Sequence, residues 1–172
     1  QLQLGRTDRF SMLSAVNYDG LQRELFTALW VGASLHIPDD DLIATPGELA
    51  QWMRDEAITF SHMTPPMTQL LTFSTEDAVR HVTLPALRYV FSLGDRLTVS
   101  TVENIRALAP QVTYVNSFGT TETQRAVGMN LIPPEQELAK GQVVLPVGRG
   151  IPDAQLLIVN PAGQLAGVGE VG

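Results

Sequence analysis

The chain has 172 residues, of which 44% are apolar and 17% charged, a composition typical of a folded globular protein. Its formal net charge of −7 excludes a dense cationic surface of the kind that follows nucleic acid or anionic lipid. The chain has no cysteine, which excludes disulfides, thiolate zinc sites and a thiol nucleophile, and its three scattered histidines make a poor metal cage.

No apolar run approaches the roughly 20 residues that a membrane helix needs, and no basic-then-apolar leader is present. We therefore expect a protein of a reducing, cytoplasmic compartment, with neither nucleic acid nor a membrane as its partner. The chain begins without Met and ends at GVGEVG, so we expect it to be a piece of a longer protein.

The first half of the chain alternates helical and extended patterns. Asp19 precedes the helical stretch GLQRELFTALWVG, and the short strand SLHIP follows. Thr45 predicts the next helix start, because Pro46 takes the first helical position and Glu48 that of a capping-box partner. AITFSHM predicts a strand, and a helical piece runs from Pro65 through Leu71. The predicted apolar face of the first helix consists of Leu21, Leu25, Ala28 and Leu29.

The second half continues this alternation as far as residue 127. LRYVFSL predicts a strand, Ser100 begins a helix, and TYVNSF is the next strand. Such spacing predicts an α/β fold with a mostly parallel sheet flanked by helices, so residues 1–127 are the predicted βαβ core with the sites. Residues 128–172 are predicted to be a Pro- and Gly-rich connection followed by a C-terminal β-hairpin, with its turn at residues 160–163.

Three loops follow predicted strands: residues 62–65, residues 92–96, and residues 116–123 with the sequence NSFGTTET. Ligands of open parallel sheets bind outside the carboxyl ends of the strands, so we predict that these loops converge on one crevice. The terminal GVGEVG matches Gly-x-Gly-x-x-Gly, but we reject a dinucleotide site there because the match follows a hairpin and opens no helix.

The candidate site residues have two interpretations each. Thr121 and Glu122 suit a phosphate and Mg²⁺, or else they cap a turn and stabilise a helix dipole, which the residues alone favour. Phe118 suits purine stacking or the core. Asp19 suits a substrate ammonium or a helix N-cap, and Arg23 one turn later suits an ion pair with it. Arg125 is either a ligand or a solvated arginine, and His62 is either a ligand or a core histidine.

NSFGTTET resembles the Asn-x-Tyr-Gly-x-Thr-Glu motif of adenylate-forming enzymes, specifically the adenylation domains of nonribosomal peptide synthetases. The resemblance spans nearly the whole chain, because YDGLQRELFTALWVGASLHIP resembles the start of the amino-acid pocket and LPVGRGIPDAQLLIVN the approach to a Gly-Glu-Leu motif. Within the family, the run GTTETQRAV, the helix start TPG and the pocket Arg after the Asp are most similar to the adenylation domains of α-aminoadipate reductases.

This resemblance implies an ATP site in the large N-terminal subdomain. Asn116 resembles the residue that reads the adenine amino group and Phe118, in place of the usual Tyr, the ring that stacks on adenine. Thr121 resembles the α-phosphate contact, and Glu122 the Mg²⁺ ligand; these two are the implied catalytic residues. Gly94 and Gly119 complete the implied nucleotide contacts.

The resemblance also implies a pocket for an amino acid, with Asp19 on the α-ammonium. Arg23 and Arg125 form an implied Arg pair, which would bind a second carboxylate in the substrate side chain well. The pocket therefore favours an acidic substrate such as L-2-aminoadipate. Gly20, Leu93 and Ser117 differ from the reductase pattern, which leaves the length of the substrate open. The implied substrate-binding residues are Asp19, Gly20, Arg23, His62, Phe91, Leu93, Ser117, Arg125 and Ala126.

The implied reaction is attack of the substrate carboxylate on the α-phosphorus of ATP, followed by transfer to the phosphopantetheine thiol of a carrier domain, and NADPH enters only where a reductase domain follows. The alternatives are an acyl- or aryl-CoA ligase, which Asp19 disfavours, and a non-catalytic nucleotide-binding module. The family's phosphate loop and catalytic Lys have no counterpart here, since Lys140 is not assigned that role. We therefore expect this piece alone to be inactive.

Overall fold

A computed structural model describes residues 2–72, 82–123, 125–139 and 141–172. Within these ranges one seven-stranded sheet has the strand order β2-β1-β3-β4-β5-β6-β7. Strands β1 to β5 pair in parallel, whereas β5 with β6 and β6 with β7 pair antiparallel. The strands are β1 Arg9–Ser11, β2 Ser34–His36, β3 Phe60–His62, β4 Tyr89–Ser92, β5 Thr113–Phe118, β6 Gly128–Ile132 and β7 Arg149–Gly150.

Helices cover both faces of the sheet, which confirms the predicted α/β class with a mostly parallel sheet. The α1 helix packs with Phe10 and Phe60 on one face, where Ala28 is its buried contact. The other helices bury Met53, Leu71 and Ile105 in the larger core on the opposite face. The helices are α1 Gly20–Val31, α2 Asp40–Ala44, α3 Glu48–Asp55, α4 Pro65–Thr72 and α5 Val99–Leu108.

Two helix starts differ from their predictions. The hydroxyl of Thr45 donates to the carbonyl of Asp41 at the end of α2, so Thr45 closes one helix instead of capping the next. Gly47, at φ 87°, takes the N-cap position of α3. The N-cap of α5 is Thr98, two residues before the predicted Ser100, because Thr98 accepts the amide of Thr101 on its side chain. The short helix α2 was not predicted.

The predicted apolar face of α1 is confirmed at Ala28 but was wrong at Leu29. Leu29 is 63% exposed, whereas the buried positions of this helix are Gly20, Glu24 and Ala28. Glu24 lies one turn after Gly20 and one turn before Ala28. A search for apolar residues at helical spacing does not find this face, because glutamate is charged and glycine has no side chain. Consequently the sheet-facing side of α1 carries a carboxylate rather than a row of leucines.

The region predicted as a connection, residues 128–150, contains two strands that the sequence pattern missed. Strand β6 runs antiparallel beside β5 with Phe118 opposite Gly128, and β7 adds a short edge. The predicted turn at residues 160–163 is confirmed, because the amide of Gly163 donates to the carbonyl of Asn160 at 2.9 Å. The hairpin itself is a single bridge between Val159 and Leu165. None of the helices in the described ranges has the length and apolarity to cross a membrane.

Candidate functional site

The three predicted loops meet at the carboxyl ends of β3, β4 and β5, where adjoining cavities open. We use three names for them. The His62 cavity has two lobes of about 330 Å³ and 240 Å³ that share Arg23, His62, Phe91 and Leu93. The Phe118 cleft, about 390 Å³, lies between residues 94–97, 116–119 and 144–147. The Glu122 mouth, about 300 Å³, joins Asp19 to Leu93, Gly94 and residues 119–122.

The register of the sheet builds the floor of the His62 cavity. His62 pairs with Phe91, and Phe91 pairs with Val115. Because side chains alternate along a strand, Ser117, two residues after Val115, falls on the same face as these neighbours. The α1 helix lies over this face and contributes Arg23 and Thr27, and the loop after β5 contributes Ala126. Seven of the nine predicted substrate residues line this cavity: Gly20, Arg23, His62, Phe91, Leu93, Ser117 and Ala126.

Asp19 and Arg23 form an ion pair at the entrance to this cavity. Arg23 Nη1 lies 3.1 Å from Asp19 Oδ2, and the two side chains are 23% and 29% exposed. Asp19 occupies the N-cap position of α1, but its side chain accepts no capping bond. The i,i+4 interpretation of Arg23 is thus confirmed, and the side-chain N-cap interpretation of Asp19 is wrong.

His62 is a neutral imidazole in the floor of the cavity. Burial, and secondarily the nearby Arg23 cation, lower the pKa of His62 to about 3. Its ring lies 5.2 Å from that of Phe60 and 5.3 Å from that of Phe91 between centroids. Among the described residues, no protein group bonds its buried Nδ1. Beneath the cavity, this Nδ1 is thus a buried polar atom without a protein partner in the described part of the chain.

Glu24 fixes the wall of the cavity opposite His62. Its Oε2 accepts the amides of Leu13 and Ser14, both at 3.1 Å, and its Oε1 accepts the Ser14 hydroxyl at 2.9 Å. Burial raises the pKa of Glu24 above its model-compound value, opposed by those Ser14 and Leu13 bonds and by Arg23. Leu13 and Ser14 line the larger lobe, so this buried carboxylate holds the loop that shapes it. Sequence reasoning did not single out Glu24.

The Phe118 cleft collects the predicted nucleotide contacts. Phe118 is 42% exposed at the end of β5, so it belongs to the cleft and not to the core. Asn116 is 3% exposed, and its Nδ2 donates to the Pro146 carbonyl at 2.9 Å. A Cβ on Gly119 would lie 2.5 Å from the carbonyl oxygen of Arg125, which is too close for any other residue without a backbone shift. Gly94, at φ 99°, takes a conformation that favours glycine.

The Glu122 mouth is a turn, which agrees with the turn interpretation of Thr121 and Glu122, although the hydroxyl that accepts its first amide is that of Thr123. The Thr123 hydroxyl accepts the Thr120 amide at 3.0 Å, and it also lies within bonding distance of the Thr120 and Arg125 carbonyls. Bonds from its own amide and from the Thr120 hydroxyl lower the pKa of Glu122. The carboxylate is exposed and ionised, at the place where the mouth meets the Phe118 cleft.

This donor set fits Mg²⁺ only in combination with a phosphate ligand. In the described ranges no cluster of three metal-binding side chains exists. Glu122 and the Thr121 hydroxyl are oxygen donors side by side in the mouth. Mg²⁺ is commonly held by one or two carboxylates, with waters and substrate phosphates completing its shell, so one ionised Glu beside a phosphate cleft suffices.

One predicted site residue lies outside the cavities, and two residues that were not predicted line them. Arg125 is exposed, and of the predicted residues in the described ranges it is the one that lines none of these cavities. Its contact with a substrate stays a prediction. Tyr18 lines both the His62 cavity and the Glu122 mouth, and Arg96 supplies a cation in the Phe118 cleft. The signal for Arg96 was its place directly after the LRYVFSL strand.

A mostly parallel sheet whose strand ends hold a cleft with an exposed ring and an ionised carboxylate, next to a largely apolar cavity, fits the class of adenylate-forming enzymes. The chain belongs to the family described as AMP-binding enzyme, whose sequence profile matches residues 2–172.

Relatives and solved structures agree with this family. The chain is 39% identical to an L-2-aminoadipate reductase of Schizosaccharomyces pombe and 42% identical to the L-2-aminoadipate reductase large subunit of Candida glabrata. Both matches cover 100% of this chain but only 12% and 13% of those proteins. In the crystal structure of the nonribosomal peptide synthetase FmoA3 a match at TM-score 0.80 and 27% identity covers 94% of this chain and 17% of that one.

Proposed function

We propose that this chain is the substrate- and nucleotide-contacting part of a domain that activates a dicarboxylic amino acid, such as L-2-aminoadipate, as its aminoacyl-AMP. The observation that carries the proposal is the charge distribution of the His62 cavity. Among its described lining residues Arg23 is the single formal charge, and Asp19 lies beside it. A cation in an apolar cavity calls for an anionic ligand group, and the adjacent carboxylate calls for an ammonium.

The nucleotide occupies the Phe118 cleft in this proposal. The Phe118 ring offers a stacking face for adenine, and Asn116 at the end of β5 reads the base edge. Gly94 and Gly119 let the backbone approach the nucleotide closely, and the Thr121 hydroxyl contacts the α-phosphate. Glu122 holds Mg²⁺, which would neutralise phosphate charge during the transfer. Arg96, in the same cleft, adds a second positive charge.

The substrate lies with its α-carboxylate toward the Glu122 mouth and its side chain in the His62 cavity. That orientation places the attacking oxygen beside the α-phosphate site, so the chain contributes chiefly by positioning the two reactants. Asp19 binds the α-ammonium, Arg23 binds the distal carboxylate beside the neutral ring of His62, and Phe91 and Leu93 exclude water. Ser117, Ala126 and Gly20 shape the remaining wall.

Later steps require parts outside this chain. The adenylate passes to the phosphopantetheine thiol of a carrier domain, and reduction with NADPH follows only if a reductase domain is present. The names of the similar reductases support a reduction step, although the chain spans about an eighth of their length. A ligase that delivers to coenzyme A is the second candidate, and Asp19 disfavours it because a plain acyl or aryl acid has no ammonium. We propose that residues 1–127 supply the substrate and nucleotide contacts, with residues 144–147 completing the wall of the Phe118 cleft, and that the location is cytoplasmic.

The decisive experiment is ATP–pyrophosphate exchange by the full-length protein with L-2-aminoadipate, glutamate, aspartate and neutral amino acids. Arg23→Ala and Arg125→Ala are compared with Arg54→Ala, whose guanidinium pairs with Asp55 on the exposed surface of α3. Exchange with a dicarboxylic amino acid that collapses in Arg23→Ala supports the proposal. Exchange only with neutral amino acids or with plain carboxylic acids refutes it. The Arg125 variant decides whether that exposed side chain also reaches the substrate.

A further inference from the structure

The Asp19–Arg23 ion pair affects which substrates the cavity can accept. The pair bridges two regions, because Asp19 lines the Glu122 mouth whereas Arg23 lines both lobes of the His62 cavity. At 3.1 Å, each partner already satisfies the other. A substrate ammonium that approaches Asp19 must therefore compete with Arg23 for the same carboxylate.

Asp19 is the one ion-pair partner of Arg23 among the described residues. The Glu24 carboxylate is near enough for Arg23 to lower its pKa, but it forms no ion pair with Arg23, and its oxygens are occupied by Leu13 and Ser14. His62 is neutral, and Phe91 and Leu93 are apolar. If Asp19 is taken by an ammonium alone, Arg23 is left as a largely buried cation without an ion-pair partner, which is unfavourable.

We propose that Arg23 changes partner when the substrate binds, from Asp19 to the distal carboxylate, while Asp19 takes the substrate ammonium. One internal ion pair becomes two pairs with a dicarboxylic amino acid, whereas a neutral amino acid breaks the internal pair and gives Arg23 nothing in return. Arg23 thus rejects neutral amino acids as well as binding acidic ones. This inference rests on the proposed amino-acid site and adds the exchange of partners to it.

The change of partner by Arg23 predicts a gain for neutral substrates when Arg23 is removed. Simple binding of the distal carboxylate by Arg23 does not predict this gain. The first test compares kcat/KM in ATP–pyrophosphate exchange for L-2-aminoadipate and for L-norleucine, which has the same chain length without the carboxylate. In Arg23→Met the value for L-2-aminoadipate should fall about 100-fold or more, as for one lost partner of a desolvated charge pair. The value for L-norleucine should rise about tenfold, because Asp19 is released.

Arg54→Ala is the matched control and should leave both values unchanged. Arg23→Gln serves as a second variant where Arg23→Met unfolds, which a thermal melt detects. A fall for L-2-aminoadipate with no rise for L-norleucine in the folded variant would overturn the exchange while leaving the proposed function intact. Unchanged values for both substrates would overturn both.

A binding measurement tests the same exchange without turnover. Adipate carries both carboxylates but no ammonium, so it cannot displace Arg23 from Asp19 in the wild-type protein. In Asp19→Asn the guanidinium is already released, and calorimetry should show adipate binding about tenfold more tightly than to wild type. Equal or weaker binding would refute the exchange. A wild-type protein that fails to activate any amino acid, together with tighter adipate binding in Asp19→Asn, would refute only the proposed function.

Discussion

Replacement of Glu24 tests whether one buried carboxylate holds the loop at the wall of the His62 cavity. Glu24 is 0% exposed and accepts three donors, the amides of Leu13 and Ser14 and the Ser14 hydroxyl. Glu24→Ala removes all three acceptor bonds at once. Glu24→Gln keeps the shape, because its amide oxygen can accept the two backbone N–H groups while its NH₂ donates to the Ser14 oxygen.

The expected magnitude follows from the donors left behind. A buried donor without a partner costs roughly 1–3 kcal/mol, and Leu13 is 7% exposed whereas water can reach Ser14. We therefore expect Glu24→Ala to lower the free energy of unfolding by about 3 kcal/mol. Glu24→Gln should stay within about 1 kcal/mol of wild type at neutral pH, since it also removes a buried charge.

The pH dependence has a definite sign. Burial raises the pKa of Glu24 in the folded state above the model-compound value of 4.5, so the folded protein holds this proton more tightly than the unfolded chain. The stabilisation by protonated Glu24 is present below pH 4.5 and is lost as the pH rises through the folded-state pKa. The stability of Glu24→Gln relative to wild type should therefore grow with pH across that window and then level off.

The assay is urea unfolding of the full-length protein from about pH 4.5 to 8, with hydrogen exchange at the Leu13 and Ser14 amides as the local readout. Glu103→Gln, on the exposed side of α5, is the control for loss of a carboxylate. Faster exchange of both amides is expected in Glu24→Ala and near-normal exchange in Glu24→Gln. Parallel pH curves for wild type and Glu24→Gln, or unchanged amide exchange in Glu24→Ala, would refute the reasoning.

Three further predictions concern the nucleotide side. Gly119→Ala should lower kcat/KM for ATP at least tenfold, because its Cβ would lie 2.5 Å from the Arg125 carbonyl; wild-type kinetics would show that the turn adapts freely. Phe118→Ala should raise KM for ATP about tenfold through lost stacking while Phe118→Tyr stays near wild type, and equal effects of both would count against stacking. Glu122→Gln should raise the Mg²⁺ concentration at half-maximal exchange, with Glu135→Gln as the exposed control, and identical Mg²⁺ titrations would move the metal contact elsewhere.

The sequence was sufficient for the elements with a strong local signal. Strands β3, β4 and β5 are apolar runs bounded by turn residues, and their order along the chain fixed the parallel class. Strand β1 was missed because Arg9 and Ser11 interrupt its pattern in only three residues. Strand β6 was missed because Asn130 and Gly128 lower the apolar content of its five residues, and its pairing with β5 is a tertiary contact.

Cap positions failed for a different physical reason. Both Thr98 and Ser100 precede the apolar residues of α5, and both can accept an amide on a hydroxyl oxygen. The choice of Thr98 depends on where the chain enters the helix, and there Val99 donates its amide to the Val143 carbonyl at 3.0 Å. That partner is far along the chain, so no local motif specifies it. Thr45 likewise lies between α2 and α3 and could cap either helix. The short α2 has too few residues to show an apolar periodicity.

The candidate site shows the same division between local and tertiary information. Period-2 alternation along β3 and β4 placed His62 and Phe91 on one face, and the one-turn spacing on α1 placed Arg23 beside Asp19. In the His62 cavity Arg23 is the lining arginine, and Arg125 is exposed outside it, so the predicted Arg pair stays a prediction. In the proposed site, Arg23 pairs with Asp19 before the substrate binds and with the distal carboxylate afterwards. In the proposed function, selectivity for acidic substrates depends on the balance between two anions for a single cation. A conservative Arg23→Lys change should then weaken that selectivity, because an ammonium lacks the planar fork that binds a carboxylate in two places.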